Sequence, residues 1–322
     1  MDLLHPDPRR EARERIGGQH EIGVLEPSPP AVARGPWFAD DPVGEVRARS
    51  ADAVLPLRDG PRTWDALAAA RPELAEWSAE RWLGAWRRLE PSVEPATLAA
   101  TRTSWHTLAE HVVAPARFRA NGKIGLRYTR AGFGTPYFGE NRQVRVARDL
   151  LIVTTGSTVA AEPITTVEAA GRHVGITPGA PTDVYAPTTS VPPGPLPLDG
   201  DALDLLGDWF GFGASVLEEL RAAAPPADAP ARVQLWPEHF DISVDTGEEA
   251  AGLRATFGAS PGDDDHDEPY LYVSPWSARS GPFWSDHGYA SLGLSQLAGA
   301  ADQRTRALEF FAEAARELRH DA

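Results

Sequence analysis

Val233-Gln-Leu-Trp-Pro-Glu-His-Phe-Asp-Ile-Ser-Val-Asp245 alternates with the period of a β-strand. Phe240, Ile242 and Val244 fall on one face, and His239, Asp241, Ser243 and Asp245 on the other. Two further segments repeat the pattern. Gly252–Gly258 places Leu253, Ala255 and Phe257 inward with Arg254 and Thr256 outward, and residues 269–274 place Leu271 and Val273 inward with Tyr270 and Tyr272 outward. Three such strands, stacked as an antiparallel meander, gather His239, Asp241, Arg254, Tyr270 and Tyr272 on one polar, aromatic face. A helix on each side completes the unit: residues 199–224 carry Leu205, Trp209, Phe212, Val216 and Leu220 along one stripe, and residues 304–319 carry Leu308, Phe311 and Leu318.

The N-terminal half reads similarly. Apolar spacing predicts a helix from about Ala96 to Ala114 that stops or kinks at Pro115. Strand-like segments follow around Ile124–Tyr128, Val144–Val146 and Asp149–Thr154, then a short helix from Thr165 to His173. Helical signals also run through Thr63–Leu67 and the stripe of Trp82, Leu83, Trp86 and Leu89. The expected class is α+β, with antiparallel sheets packed against helices. Because helix, three strands, helix occurs twice, two similar halves are one reading of the order, although their residues do not align visibly. The expected divisions are an irregular arm at 1–60, an N-terminal half at 61–176, a Pro-rich linker or crossover at 177–198 with seven prolines, and a C-terminal half at 199–322.

Composition excludes several classes. The 322 residues carry no cysteine, so there is no disulfide framework, thiol nucleophile or thiolate metal site. A formal net charge of -15 opposes binding to phosphate backbones, so no nucleic-acid partner is expected. No stretch reaches membrane-spanning length and the first residues lack a signal-peptide core, so neither a membrane partner nor secretion is expected, and the location expected is cytoplasmic. Arginine far outnumbers lysine, of which Lys123 is the only one; high-GC coding is the simpler reading and a Schiff-base lysine the rarer one. The base rate for soluble proteins of this kind favours a homodimer.

Two constellations could carry chemistry. If a helix or the crossover covers the meander's polar face, His239 could act as general base, Asp241 could orient it, and Arg254, Tyr270, Tyr272 and His287 could bind a small molecule. Left uncovered, the same face is an ordinary solvated surface and the protein a binding or scaffolding one. The acidic turn Gly262-Asp-Asp-Asp-His-Asp-Glu-Pro269 offers Asp263, Asp265, His266 and Asp267 to a divalent metal, but its spacing fails the EF-hand pattern. Position six would be Glu268 instead of glycine, and position twelve Ser274 instead of glutamate. A solvated hairpin loop is the simpler reading, and no cofactor is expected. A third, weaker candidate is the i, i+4 pair His106 and Glu110 with His111 beside it. The nucleophile elbow, the phosphate-binding loop and the H-E-x-x-H zinc motif are all absent from the sequence. An acid/base or metal-dependent, hydrolase-like enzyme centred on His239 and Asp241 is therefore the alternative to small-molecule binding.

Leu235-Trp-Pro-Glu-His-Phe-Asp241, Ser260-Pro-Gly-Asp263 and Glu268-Pro-Tyr-Leu-Tyr-Val-Ser-Pro-Trp276 together resemble a signature of uncharacterised domain families from high-GC bacteria. The resemblance covers about residues 200 to 290. It implies a soluble bacterial α+β protein and brings no activity or catalytic residue with it.

Overall fold

The computed structural model describes residues 54–57, 60–63, 88–129, 131–139, 142–155 and 158–320. The predicted helices between residues 64 and 87 and most of the predicted arm lie outside them. Within the expected arm and its border, β1 (Val54–Leu57) and β2 (Gly60–Thr63) pair as an antiparallel ladder.

Two antiparallel five-stranded sheets packed with helices make an α+β fold. The first follows α1 (Pro95–Leu108), a π-helical turn (Ala109–Val113) and α2 (Ala114–Asn121). It is a simple meander of β3 (Arg127–Thr129), β4 (Gly132–Gly134), β5 (Arg142–Ala147), β6 (Leu150–Thr155) and β7 (Thr158–Pro163), closed by α3 (Val167–Val174). The second follows the long helix α4 (Gly200–Ala223), whose N-terminus is capped by Asp199 accepting from the amides of Asp201 and Ala202. Its strands are β8 (Gln234–Trp236), β9 (Asp241–Thr246), β10 (Ala255–Ser260), β11 (Tyr270–Pro275) and β12 (Ala290–Gly293), again in meander order. The short α5 (Leu294–Ala298) and α6 (Gln303–His320) finish the chain. Each half thus holds five strands where periodicity picks out three, because β4, β7, β8 and β12 are short, or rich in Gly, Ala and Pro, and give little alternation.

The sheets meet through their first strands. Leu126 and Leu235 exchange backbone hydrogen bonds of 2.7 and 2.9 Å in an isolated antiparallel bridge. Pairing equivalent strands antiparallel is what a twofold relation between the halves would produce. Buried apolar side chains from both halves form one continuous cluster, from Leu98 and Trp105 through Trp209 and Phe210 to Phe257 and Phe311. A single core therefore serves both sheets.

Two local corrections to the sequence reading matter for the site. The predicted strand from Val233 to Asp245 is broken: Trp236–Phe240 is a turn in which the Phe240 amide donates to the Trp236 carbonyl at 2.7 Å. Phe240 adopts a left-handed φ of 53°, unfavourable for a bulky residue, and its ring is buried between Phe133 and Phe210, which offsets the strain. Second, the helix does not stop at Pro115, one of the two outcomes expected there, but runs on to Asn121 through an irregular turn. The π-helical turn just before Pro115 absorbs the disruption that its ring and missing N–H would cause. The His111 carbonyl, which Pro115 cannot satisfy, takes the amide of Gly179 at 2.9 Å from the Pro-rich segment.

Candidate functional site

The Pro-rich segment is extended, as its composition dictates, and it is fastened along the first helix by side chains spaced for the purpose. Glu110, fully buried in the π-helical turn, accepts from the amides of Thr188 and Thr189 at 2.9 and 2.7 Å and from the Thr189 hydroxyl at 2.5 Å. His111 Nε2 lies 3.0 Å from the Thr189 carbonyl, and the Ser104 hydroxyl donates to the Pro197 carbonyl at 2.8 Å. His106 Nε2 donates to the Pro237 carbonyl at 2.8 Å, which puts the ring proton on that nitrogen. Burial lowers the His106 pKa, the nearby Glu110 carboxylate opposing it, so the neutral ring stacks on Phe240. Glu110 and His111 thus hold the crossover in place, and His106 holds the Trp236–Phe240 turn.

Between α1, the crossover and the outer face of β9–β10–β11 lies a half-open cleft of about 1160 Å³. Its floor is the polar face that strand alternation predicts. Asp241, Ser243 and Asp245 come from β9, Thr256 and Ser260 from β10, and Tyr270, Tyr272 and Ser274 from β11. Trp276 flanks the floor at one end, and Asp263, Asp264 and Asp265 at the other.

Asp241 is a buried carboxylate of the floor, 4% exposed. Its Oδ2 accepts the Tyr272 hydroxyl, and its Oδ1 is buried with no hydrogen-bond partner. Desolvation pushes its pKa up to about 6, partly offset by the Tyr272 hydrogen bond and the field of His239. Burial and the Asp241 carboxylate in turn push the Tyr272 hydroxyl well above its ordinary range, so it stays a donor.

The glycine between them makes this contact possible. Gly258 sits opposite both Ser243 and Tyr272, and the Tyr272 ring lies across it. A Cβ there would sit 2.3 Å from the ring's Cε1 and Cζ.

The acidic turn is organised by its own side chains. Asp263 Oδ1 accepts from the amides of Asp265 and His266, both at 2.9 Å, and its Oδ2 takes the Tyr270 hydroxyl at 2.5 Å. His266 lies between Asp263 (3.2 Å) and Asp286 (3.0 Å) and stacks on Tyr270. Desolvation opposes the charge on His266, but the two carboxylates outweigh it and raise its pKa. Asp265, at the rim of the cleft, and Asp267 are exposed. Among the described residues, no group of three or more His, Cys, Asp or Glu side chains is placed to hold a metal ion. The potential ligands Asp263 and His266 are spent on the loop itself.

Of the residues expected at the site, Asp241, Tyr270 and Tyr272 share the floor, and His239 lines the cleft from the Trp236–Phe240 turn. No hydrogen bond joins His239 to Asp241; the turn leaves the imidazole exposed while Asp241 is buried. Arg254 does not line the cleft. Its guanidinium reaches the carbonyls of Ala229 (3.4 Å) and Gly247 (3.3 Å) and lies 4.9 Å from the Trp276 ring centroid. His287 sits outside the cleft in an exposed loop at φ 50°, and its neighbour Asp286 makes the contact with His266.

Trp276 and Arg102 were not singled out from sequence as site residues, and Asp245 was placed on the polar face without a role. Trp276 continues the two-residue alternation of Tyr270, Tyr272 and Ser274, so a signal for it existed. Arg102, 9% exposed, donates to the Asp263 carbonyl at 3.1 Å across a long sequence separation that no local pattern reveals. In comparisons with known proteins, no family model, no curated protein and no solved structure matches this chain.

Proposed function

We propose that this protein binds a polar small molecule in the cleft between the first helix, the Pro-rich crossover and the outer face of the second sheet, and that it acts in the cytoplasm. The observation that carries the reading is Asp241: a buried carboxylate with one oxygen held by Tyr272 and the other unpartnered at the floor of a cleft. An unsatisfied buried acceptor costs about 1 to 3 kcal/mol, more when charged, and a ligand donor reaching it would recover that cost. The crossover supports the same reading, since Glu110 and His111 fix a wall that would otherwise be a floppy linker.

The test is a thermal-shift screen of polar metabolites on the full chain, repeated on Asp241→Asn. Compounds that raise the melting temperature of the parent but not of the variant support the reading. A screen in which every stabilising compound acts equally on both overturns it.

A second reading, acid–base catalysis, is favoured by the same carboxyl. A group titrating near 6 both holds and releases a proton at neutral pH. Turnover of a cleft ligand, with a pH profile breaking near 6 that Asp241→Asn abolishes, would select it over simple binding.

A further inference from the structure

We infer that the cleft takes an amine with an extended, flat apolar tail: the ammonium sits against Asp241 and the tail lies on Trp276. This rests on the cleft being a binding site and names the class of its ligand.

Charge decides the head. Glu238, Asp241, Asp245, Asp263, Asp264 and Asp265 line the cleft, and Arg102 is the one arginine or lysine among the described lining residues. Burial raises the Asp241 pKa to about 6, and its buried Oδ1, without a hydrogen-bond partner, calls for a donor. A cationic donor satisfies the hydrogen bond and the charge together.

The sheet register sets the length. Asp241 is level with Ser260 and Tyr270 at one end of the strands, and Asp245 is level with Thr256 and Ser274 at the other, next to Trp276. Four residues of strand separate the two ends by about 13 Å. The Trp276 side chain is 53% exposed, and its position is fixed: Nε1 donates to the Thr256 hydroxyl at 3.3 Å, and that hydroxyl donates to Asp245 at 2.7 Å. The Arg254 guanidinium lies over the ring, 4.9 Å from its centroid, without lining the cleft. A cation already stacked there makes the open face a poor seat for a second one and leaves it suited to a flat or apolar group. The floor is a sheet face whose backbone groups are consumed by the β9–β10–β11 ladders, so a peptide's own amides would find few partners. A simple amine has none to satisfy.

Calorimetric titration of the full chain with phenylbutylamine, phenylbutanol, butylamine and spermidine tests this, with Asp241→Asn and Trp276→Ala as variants. Phenylbutylamine should bind at least about ten-fold more tightly than either phenylbutanol or butylamine. Asp241→Asn should remove the advantage over phenylbutanol, and Trp276→Ala the advantage over butylamine. Trp276→Phe, which keeps a flat face, should retain most of the affinity.

Spermidine binding most tightly, with no effect of Trp276→Ala, overturns the tail assignment. Failure of every amine overturns the inference as a whole. The cleft reading still stands in that case if neutral compounds from the metabolite screen bind and lose affinity in Asp241→Asn; both fall if no compound distinguishes the variant from the parent.

Discussion

The two sheets share a topology and a helix-covered inner face, but their outer faces are opposites. In the first sheet Gln143, Arg145, Ala147, Leu150, Ile152 and Thr154 point away from the main core, yet all are buried, and Ala147, Leu150 and Ile152 form a second small apolar cluster with Val159 packed on it. In the second sheet the corresponding face carries Asp241, Ser243, Thr256, Tyr270, Tyr272 and Ser274 and opens into the cleft. One meander has spent both faces on packing, while the other keeps one face for chemistry. Stability in the first sheet should therefore depend on volume, and in the second on polar pairing.

The largest effect should come from comparing equivalent faces. Ile152→Ala, at a position with no exposure, should cost about 2 to 4 kcal/mol in denaturant unfolding, because buried aliphatic volume is lost. Ser274→Ala on the open floor should cost under about 0.5 kcal/mol. Equal costs would break the contrast.

Next, Gly258→Ala forces a methyl into the Tyr272 ring and should destabilise by about 1 to 3 kcal/mol. Since the clash is with one side chain, the double variant with Tyr272→Ser should cost clearly less than the sum of the single changes. Additivity would show that the ring does not depend on the glycine.

The smallest effect is the pH dependence of Asp241. Its folded pKa, about 6, lies above the ordinary value of 3.8, so between those limits the folded state binds more protons than the unfolded chain. Its contribution to stability is therefore most favourable below about pH 4, falls as pH rises to about 6, and stays low above that. Asp241→Asn keeps an acceptor for Tyr272 and removes the charge. The variant should match or exceed the parent in stability at pH 8 and lose that advantage at pH 4, by up to about 2 kcal/mol in chemical denaturation. A parent whose advantage instead grows with pH would show that Asp241 is paired and stabilising as an anion.

Much of the architecture was legible because strands with one apolar face advertise themselves by alternation. Ile242 and Val244, Ala255 and Phe257, and Leu271 and Val273 all face the core as their spacing requires. The short strands were not legible, since three or four residues such as Gly132–Gly134 carry too little pattern. His239 misled for a related reason: it continues the alternation of Asp241 and Ser243 in the sequence, but Phe240 turns the chain between them. The acidic run is a loop, as its simpler reading has it, but composition could not show that Asp263 organises it by accepting from the amides of Asp265 and His266.

The sequence by itself determined the class, the two-part order of elements, the exclusion of cysteine chemistry and the polar face from Asp241 to Tyr272. Those are consequences of side-chain period and composition, which are local. Only the tertiary structure decided that this face becomes a cleft. Whether a polar sheet face is solvated or walled depends on where Pro178–Pro197 runs, and that is settled by a buried glutamate and a proline-freed carbonyl on a helix some eighty residues earlier. Contacts at such separation leave no periodic trace.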